Sequence, residues 1–139
     1  MKNKKAFTMI ELIIVIIIIG VILVFAIPNI VATMERNKKD AIAVSAKDFI
    51  EKTRNCIIEG KRLSATLTCG YPTTSATYYL KDIDVNNQIQ RSAAGDEYDR
   101  DHSTVTVTKN GDVYEYQAVL KLKDNSATCT LNYGEDSCH

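Results

Sequence analysis

The chain begins with six residues, "MKNKKA", that are short, basic and polar. An apolar run follows. From Phe7 to Ile27 there are 21 residues, and only Thr8 and Glu11 interrupt them with clearly polar groups. At about 1.5 Å per residue, a helix of that length spans roughly 30 Å, the thickness of a hydrocarbon core. Lys2, Lys4 and Lys5 precede the run, so its N-terminal end is expected on the cytoplasmic side.

Beyond Pro28 the pattern becomes that of an amphipathic helix. Ile42, Ala46, Phe49, Ile50, Thr53, Cys56 and Ile57 recur at helical spacing. Asp40, Lys47, Asp48, Glu51, Lys52 and Arg54 occupy the opposite side, and Gly60 is a stop signal. The pattern predicts one long helix from about Phe7 to Gly60. Gly20 weakens the helix interior, and Pro28 removes a backbone hydrogen bond and crowds the preceding turn. A kink or a locally melted stretch is therefore expected between them.

The segment 61–103 has little period. "TYYLKDIDV" (77–85) suggests a short strand, and "SAAGDEYDRDHS" (92–103) reads as a loop. From Thr104 the alternation is clear. Strands are expected near 104–109, 113–122 and 127–133. Val105 and Val107 form one apolar face, joined by Tyr114, Tyr116, Ala118, Leu120 and Leu122, and by Ala127, Cys129, Leu131 and Tyr133. Asn110-Gly111 marks the first hairpin turn. The helix stripe from Ile42 to Ile57 is the natural cover for this sheet. The expected fold class is α+β, a long N-terminal helix whose C-terminal half packs on a small antiparallel sheet.

Composition changes this picture in three places. Basic and acidic residues balance at 17 each over the chain, but from Asn29 onward there are 14 basic and 16 acidic. That part lacks the excess cation that nonspecific nucleic-acid binding requires. Lys61-Arg62, Lys121 and Lys123 are the best candidates for a local basic patch. Asp96, Glu97, Asp99 and Asp101 are dense, but the Gly and Glu of an EF-hand loop are missing, so no metal is expected. His102 lies between Asp101 and Ser103, yet adjacent residues of one loop rarely converge into a triad. No phosphate-binding, esterase or zinc-protease motif is present, and neither an enzyme nor a cofactor is expected.

The four cysteines, Cys56, Cys69, Cys129 and Cys138, suggest two disulfides in an exported chain. Three pairings are open. Proximity favours Cys56–Cys69 and Cys129–Cys138.

The apolar run has three readings: a plain signal anchor, a secretory signal peptide cut after Ala26, or a segment retained after a cut at Ala6. Glu11 separates them. A carboxylate deep in a bilayer costs on the order of 2–3 kcal/mol or more and is usually paired. A signal peptide has no use for it. A cut after Ala6 gives Phe7 a free amine, one helical turn from Glu11, and that amine is a partner for Glu11 on a neighbouring, staggered helix.

"KKAFTMIELIIVIIIIGVILVFAIP" resembles the class III signal and N-terminal helix of type IV pilins and of the pseudopilins of type II secretion. The matching features are the basic leader, the small residue Ala6 where the family usually has Gly, Phe7 as new N-terminus, Glu11, Gly20 and Pro28. The resemblance covers about 22 of the 139 residues. It implies a leader (1–6) removed by a prepilin peptidase, with methylation of the Phe7 amine. It implies a hydrophobic membrane and filament-core helix (7–28), an amphipathic helix half (29–60) and a globular head (61–139) with a C-terminal disulfide loop. Glu11, Gly20 and Pro28 would serve subunit assembly. The implied function is a structural subunit polymerising through its N-terminal helices into a type IV pilus or type IV-like filament, for adhesion, motility or related surface functions. Alternatives are a pseudopilin or a DNA-uptake pilin. The implied partners are further copies of the chain, the peptidase, an assembly platform and its ATPase, and the cytoplasmic membrane before the extracellular filament forms.

Overall fold

The computed structural model describes residues 7–64 and 67–139, apart from the side chains of Pro28 and Asn29. The leader and Ala6 lie outside the described residues. Residues 1–36 and 37–139 are separate compact units. The elements are α1 (Met9–Glu59), β1 (Ser75–Tyr79), α2 (Leu80–Ile83), β2 (Thr104–Asn110), β3 (Val113–Lys121) and β4 (Thr128–Asn132).

Helix α1 starts where the Thr8 carbonyl accepts the N–H groups of Glu11 (3.1 Å) and Leu12 (3.3 Å). It stays helical through Gly20 and Pro28, so the expected melted stretch is absent. One missing hydrogen bond at Pro28 does not outweigh the helix formers on both sides. The helix ends in a Schellman motif. Gly60 adopts φ 58°, its N–H bonds the Ile57 carbonyl (3.2 Å), and the Lys61 N–H bonds the Cys56 carbonyl (3.1 Å).

In the 37–139 unit, one sheet has the antiparallel order β1-β2-β3-β4. Ile42, Ala46, Phe49, Ile50, Cys56 and Ile57 of α1 join Tyr78, Val105, Val107, Tyr116, Ala118, Leu120, Cys129 and Leu131 in one core. The period of α1 and the alternation of β2–β4 thus meet in a single apolar layer. Tyr133, expected on that face, is 50% exposed because it lies past the end of β4. The strand suggested at 77–85 is shorter. It stops at Tyr79, and Leu80–Ile83 turn into α2, which buries Leu80. The extra strand pairing also makes the meander four-stranded, since β1 lies along β2 from Ser75↔Thr108 to Tyr79↔Thr104.

The first hairpin is displaced by one residue from the expected turn. Asn110 pairs with Val113, so Gly111 and Asp112 form the corners, and only Gly111 (φ 64°) has positive φ. Asn110 is the last residue of β2, and its amide donates to Glu115 Oε1 at 3.0 Å. A single positive φ at the first corner is the II′ arrangement, which favours Gly there. Gly111→Ala should lower stability by about 1–2 kcal/mol through backbone strain alone, since an added Cβ would meet nothing within 4 Å. A denaturation midpoint for the variant tests this.

Cys56 is bonded to Cys69 and Cys129 to Cys138. The first ties α1 to the residue after Thr68, which bridges Arg62. The second closes the C-terminal loop. Within that loop Asp136 pairs with Lys47 of α1, and Cys138 Sγ lies 3.2 Å from the Lys39 carbonyl oxygen.

Candidate functional site

The site is the first part of α1. Its apolar side chains have no cover within the chain: Phe7 is 78% exposed and Phe25 73%. Met9, Ile10, Leu12 and every large aliphatic residue from Ile13 to Val24 are likewise exposed. The most apolar window of α1 has a mean hydropathy of 3.4 and none of it is buried. This is the one helix among the described residues long and apolar enough to cross a membrane.

Glu11 sits in the first turn of α1, exposed and four residues from Phe7. A carboxylate there also favours the helix dipole, by about 0.3–1 kcal/mol. That gain is smaller than the cost of placing the same charge in hydrocarbon, about 2.5–3.5 kcal/mol. The dipole alone does not account for Glu11. Gly20 has open space where a Cβ would be, so no neighbour within the chain requires a glycine.

Other sequence candidates are used up locally. Asp96 faces Lys38, Glu97 faces Arg91 and Lys123, Asp101 faces Lys81, and Asp99 faces His102. Asp96, Glu97 and Asp101 therefore each face a cation, and Asp99 faces the His102 ring. Desolvation pushes the Asp99 carboxyl up, but the His102 ring, the His102 N–H and the Asp101 N–H together outweigh it and hold the group below its usual range. Ser103 is buried and its hydroxyl accepts from the Lys121 N–H at 3.1 Å, so it is turned to the backbone of β3 and takes no part with His102. Lys61 and Arg62 line a cleft that also holds Glu59 and Asp84. Of the four candidate cations, Lys123 is paired to Glu97.

The sequence reading missed Asp84. Its side chain is 1% exposed, with Lys52 Nζ at 2.8 Å and Arg100 Nη1 at 2.9 Å. The N–H groups of Ile89 (2.8 Å) and Gln88 (3.1 Å) donate to the same carboxylate. Burial raises its pKa, but Lys52, the Ile89 N–H, Arg100 and the Gln88 N–H together overcome this and bring it down to about 2. Lys52, read as a solvent-face residue, instead reaches across from α1 to hold the 84–89 turn. The signal was faint: an Asp before "VNNQ" suggests a turn, but nothing in the spacing points to Lys52 or Arg100.

No curated protein and no solved structure matches the chain. Residues 1–27 match the family model described as the prokaryotic N-terminal methylation motif, and that motif implies processing by a prepilin peptidase. Residues 1–27 therefore carry the class III signal peptide of type IV pilins and pseudopilins, a motif that indicates a pilin-like or pseudopilin precursor, and they lead into a long helix and an antiparallel sheet of α+β architecture.

Proposed function

We propose that the chain is a structural subunit that polymerises into a type IV pilus or type IV-like filament. The observation that carries this reading is the uncovered apolar surface from Phe7 to Ile27 next to a single carboxylate. Burying one such Ile, Leu, Val or Phe side chain gains about 1.5–3 kcal/mol. A segment with this many exposed apolar groups is stable in lipid or in a bundle of its own kind. The bundle alone also gives Glu11 a partner, the Phe7 amine of an adjacent subunit. Cleavage between Ala6 and Phe7 precedes docking, because it creates that amine. Gly20 and Pro28 supply the places where the helix can extend as subunits repack.

The head (61–139) and the helix half before it would form the filament's outer layer. The C-terminal disulfide loop is a candidate subunit contact or adhesive edge. Delivery from the cytoplasmic membrane to the surface would use the platform and ATPase of such systems. Electron microscopy of wild-type cells and cells lacking the chain tests the reading. Surface fibres in the wild type that disappear with the gene are expected. Unchanged fibres in the deletion would contradict a structural role. A short periplasmic assembly without surface fibres would move the chain to the pseudopilins.

A further inference from the structure

The two edges of the sheet are finished differently. β4 is closed on its outer side. The Thr130 N–H bonds the His139 carbonyl at 3.4 Å, and the His139 N–H returns to the Thr130 carbonyl at 3.0 Å. β1, at the other edge, carries none of the devices that blunt an open strand. Its sequence, Ser75-Ala76-Thr77-Tyr78-Tyr79, has no lysine, no proline and no inward-pointing charge. Its register against β2 runs unbroken from Ser75 to Tyr79, so no bulge turns it away.

Two bonds at the ends of β1 fix which of its backbone groups face outward. The Lys109 N–H donates to the Thr74 carbonyl at 2.8 Å, and the Leu80 N–H to the Ser103 carbonyl at 2.9 Å. In an antiparallel pair, residues bonded to the partner strand alternate with residues whose N–H and C=O point away from it. Thr74 and Leu80 are bonded towards β2, so Ala76 and Tyr78 are as well. Ser75, Thr77 and Tyr79 therefore turn their N–H groups to the free side, and Ser75 and Thr77 their carbonyls too. None of these groups has a backbone partner on that side among the described residues. Ser75, Thr77 and Tyr79 are all exposed, whereas Tyr78 is buried in the core.

This edge is its own complement. Two copies of β1 laid antiparallel about Thr77 place Thr77 opposite Thr77 and Ser75 opposite Tyr79. The residues with outward backbone groups then face one another. The two Thr77 residues exchange N–H and C=O, and each Tyr79 N–H meets the Ser75 carbonyl opposite. No charge within the strand opposes a like charge. We propose that β1 pairs with β1 of a second copy of the chain, joining two four-stranded sheets into one across a two-fold axis. So short a contact is weak by itself, but rows of heads held together would sum it. Successive subunits of one filament are related head to tail. On the polymer reading above, the contact therefore joins heads of different filaments, although the pairing itself does not depend on that reading.

The test uses the full chain dispersed in a zwitterionic detergent, where no filament is needed, so failure here leaves the polymer reading standing. Residues paired at the centre of such a contact have Cα atoms about 5.5 Å apart, a separation that a disulfide spans. The chain has no free cysteine, so Thr77→Cys adds its only reactive thiol. Oxidation by dissolved oxygen should convert this variant to a covalent dimer. Glu115→Cys, exposed on the same face but on β3, should stay uncrosslinked. Thr77→Lys sets two ammonium groups opposite each other and should weaken self-association, read by sedimentation, about tenfold. Equal crosslinking at both positions, no crosslink from Thr77→Cys, or association that Thr77→Lys leaves unchanged would overturn the pairing. Capture of a different protein by Thr77→Cys in intact cells, with no dimer of the chain, would give the edge to another partner and overturn it too.

Discussion

Glu11→Ala and Glu11→Val should insert into the cytoplasmic membrane at wild-type levels and yield few or no filaments. Insertion follows apolarity, and removing a charge from an apolar run only improves it. Assembly follows pairing. Within a filament core the Glu11 carboxylate would sit among isoleucines, where an unpaired charge costs several kcal/mol and a partnered one far less. The Phe7 amine that the proposed cut would create is the natural partner. Its loss should weaken each subunit contact by about 3–5 kcal/mol, the cost of breaking a buried ion pair from one side. Summed along a polymer, that is enough to stop growth. Glu11→Asp, one methylene shorter, should assemble partially. Fractionation of cells, with sheared surface fibres probed against membrane-bound subunit, separates the two steps. Normal fibre yield from Glu11→Ala would show that the carboxylate serves only the helix dipole.

The second large effect is expected at Asp84. Asp84→Ala should destabilise the head by about 3–5 kcal/mol, because Lys52 and Arg100 lose their shared carboxylate and the 84–89 turn loses its anchor. The pH dependence follows from the folded pKa of about 2, below the ordinary 3.8. A depressed carboxylate stabilises the fold above the unfolded pKa, and this contribution disappears as pH falls through the folded value. It amounts to about 2 kcal/mol near neutrality. The stability gap between the wild type and Asp84→Asn should therefore be constant above about pH 5 and shrink by about that amount towards pH 2. Denaturant titrations of both proteins at several pH values measure it. A gap that does not narrow on acidification would place the ion cluster outside the folding energetics.

Glu11 and Asp84 differ in how plainly the sequence marks them as unusual. Glu11 was legible because a membrane segment has a strict chemical grammar, in which one carboxylate among isoleucines stands out. The stripe Ile42–Ile57 and the alternation from Thr104 were legible for a related reason. Period alone fixes which side of an element is apolar, and Phe49, Val105, Val107 and Leu120 are all buried as that predicts. Asp84 was hidden because its partners lie 32 residues before it and 16 after it, joined only by the fold. The turn at Gly111-Asp112 was displaced from Asn110-Gly111 because pairing register, set by β2 against β3, decides which residues become corners. The short strand β1 ends at Tyr79, opposite Thr104 where β2 begins, and Leu80 is buried at the start of α2.

The proposed pairing of Glu11 depends on one covalent event, a cut between Ala6 and Phe7. Intact-mass and N-terminal mass spectrometry of the exported chain measures it directly. The expected product begins at Phe7 and carries one added methyl group on its amine. A chain beginning at Ile27 would show secretory cleavage after Ala26, and a chain retaining Met1 would show a plain anchor. Either would contradict the pairing of Glu11 with a new amine.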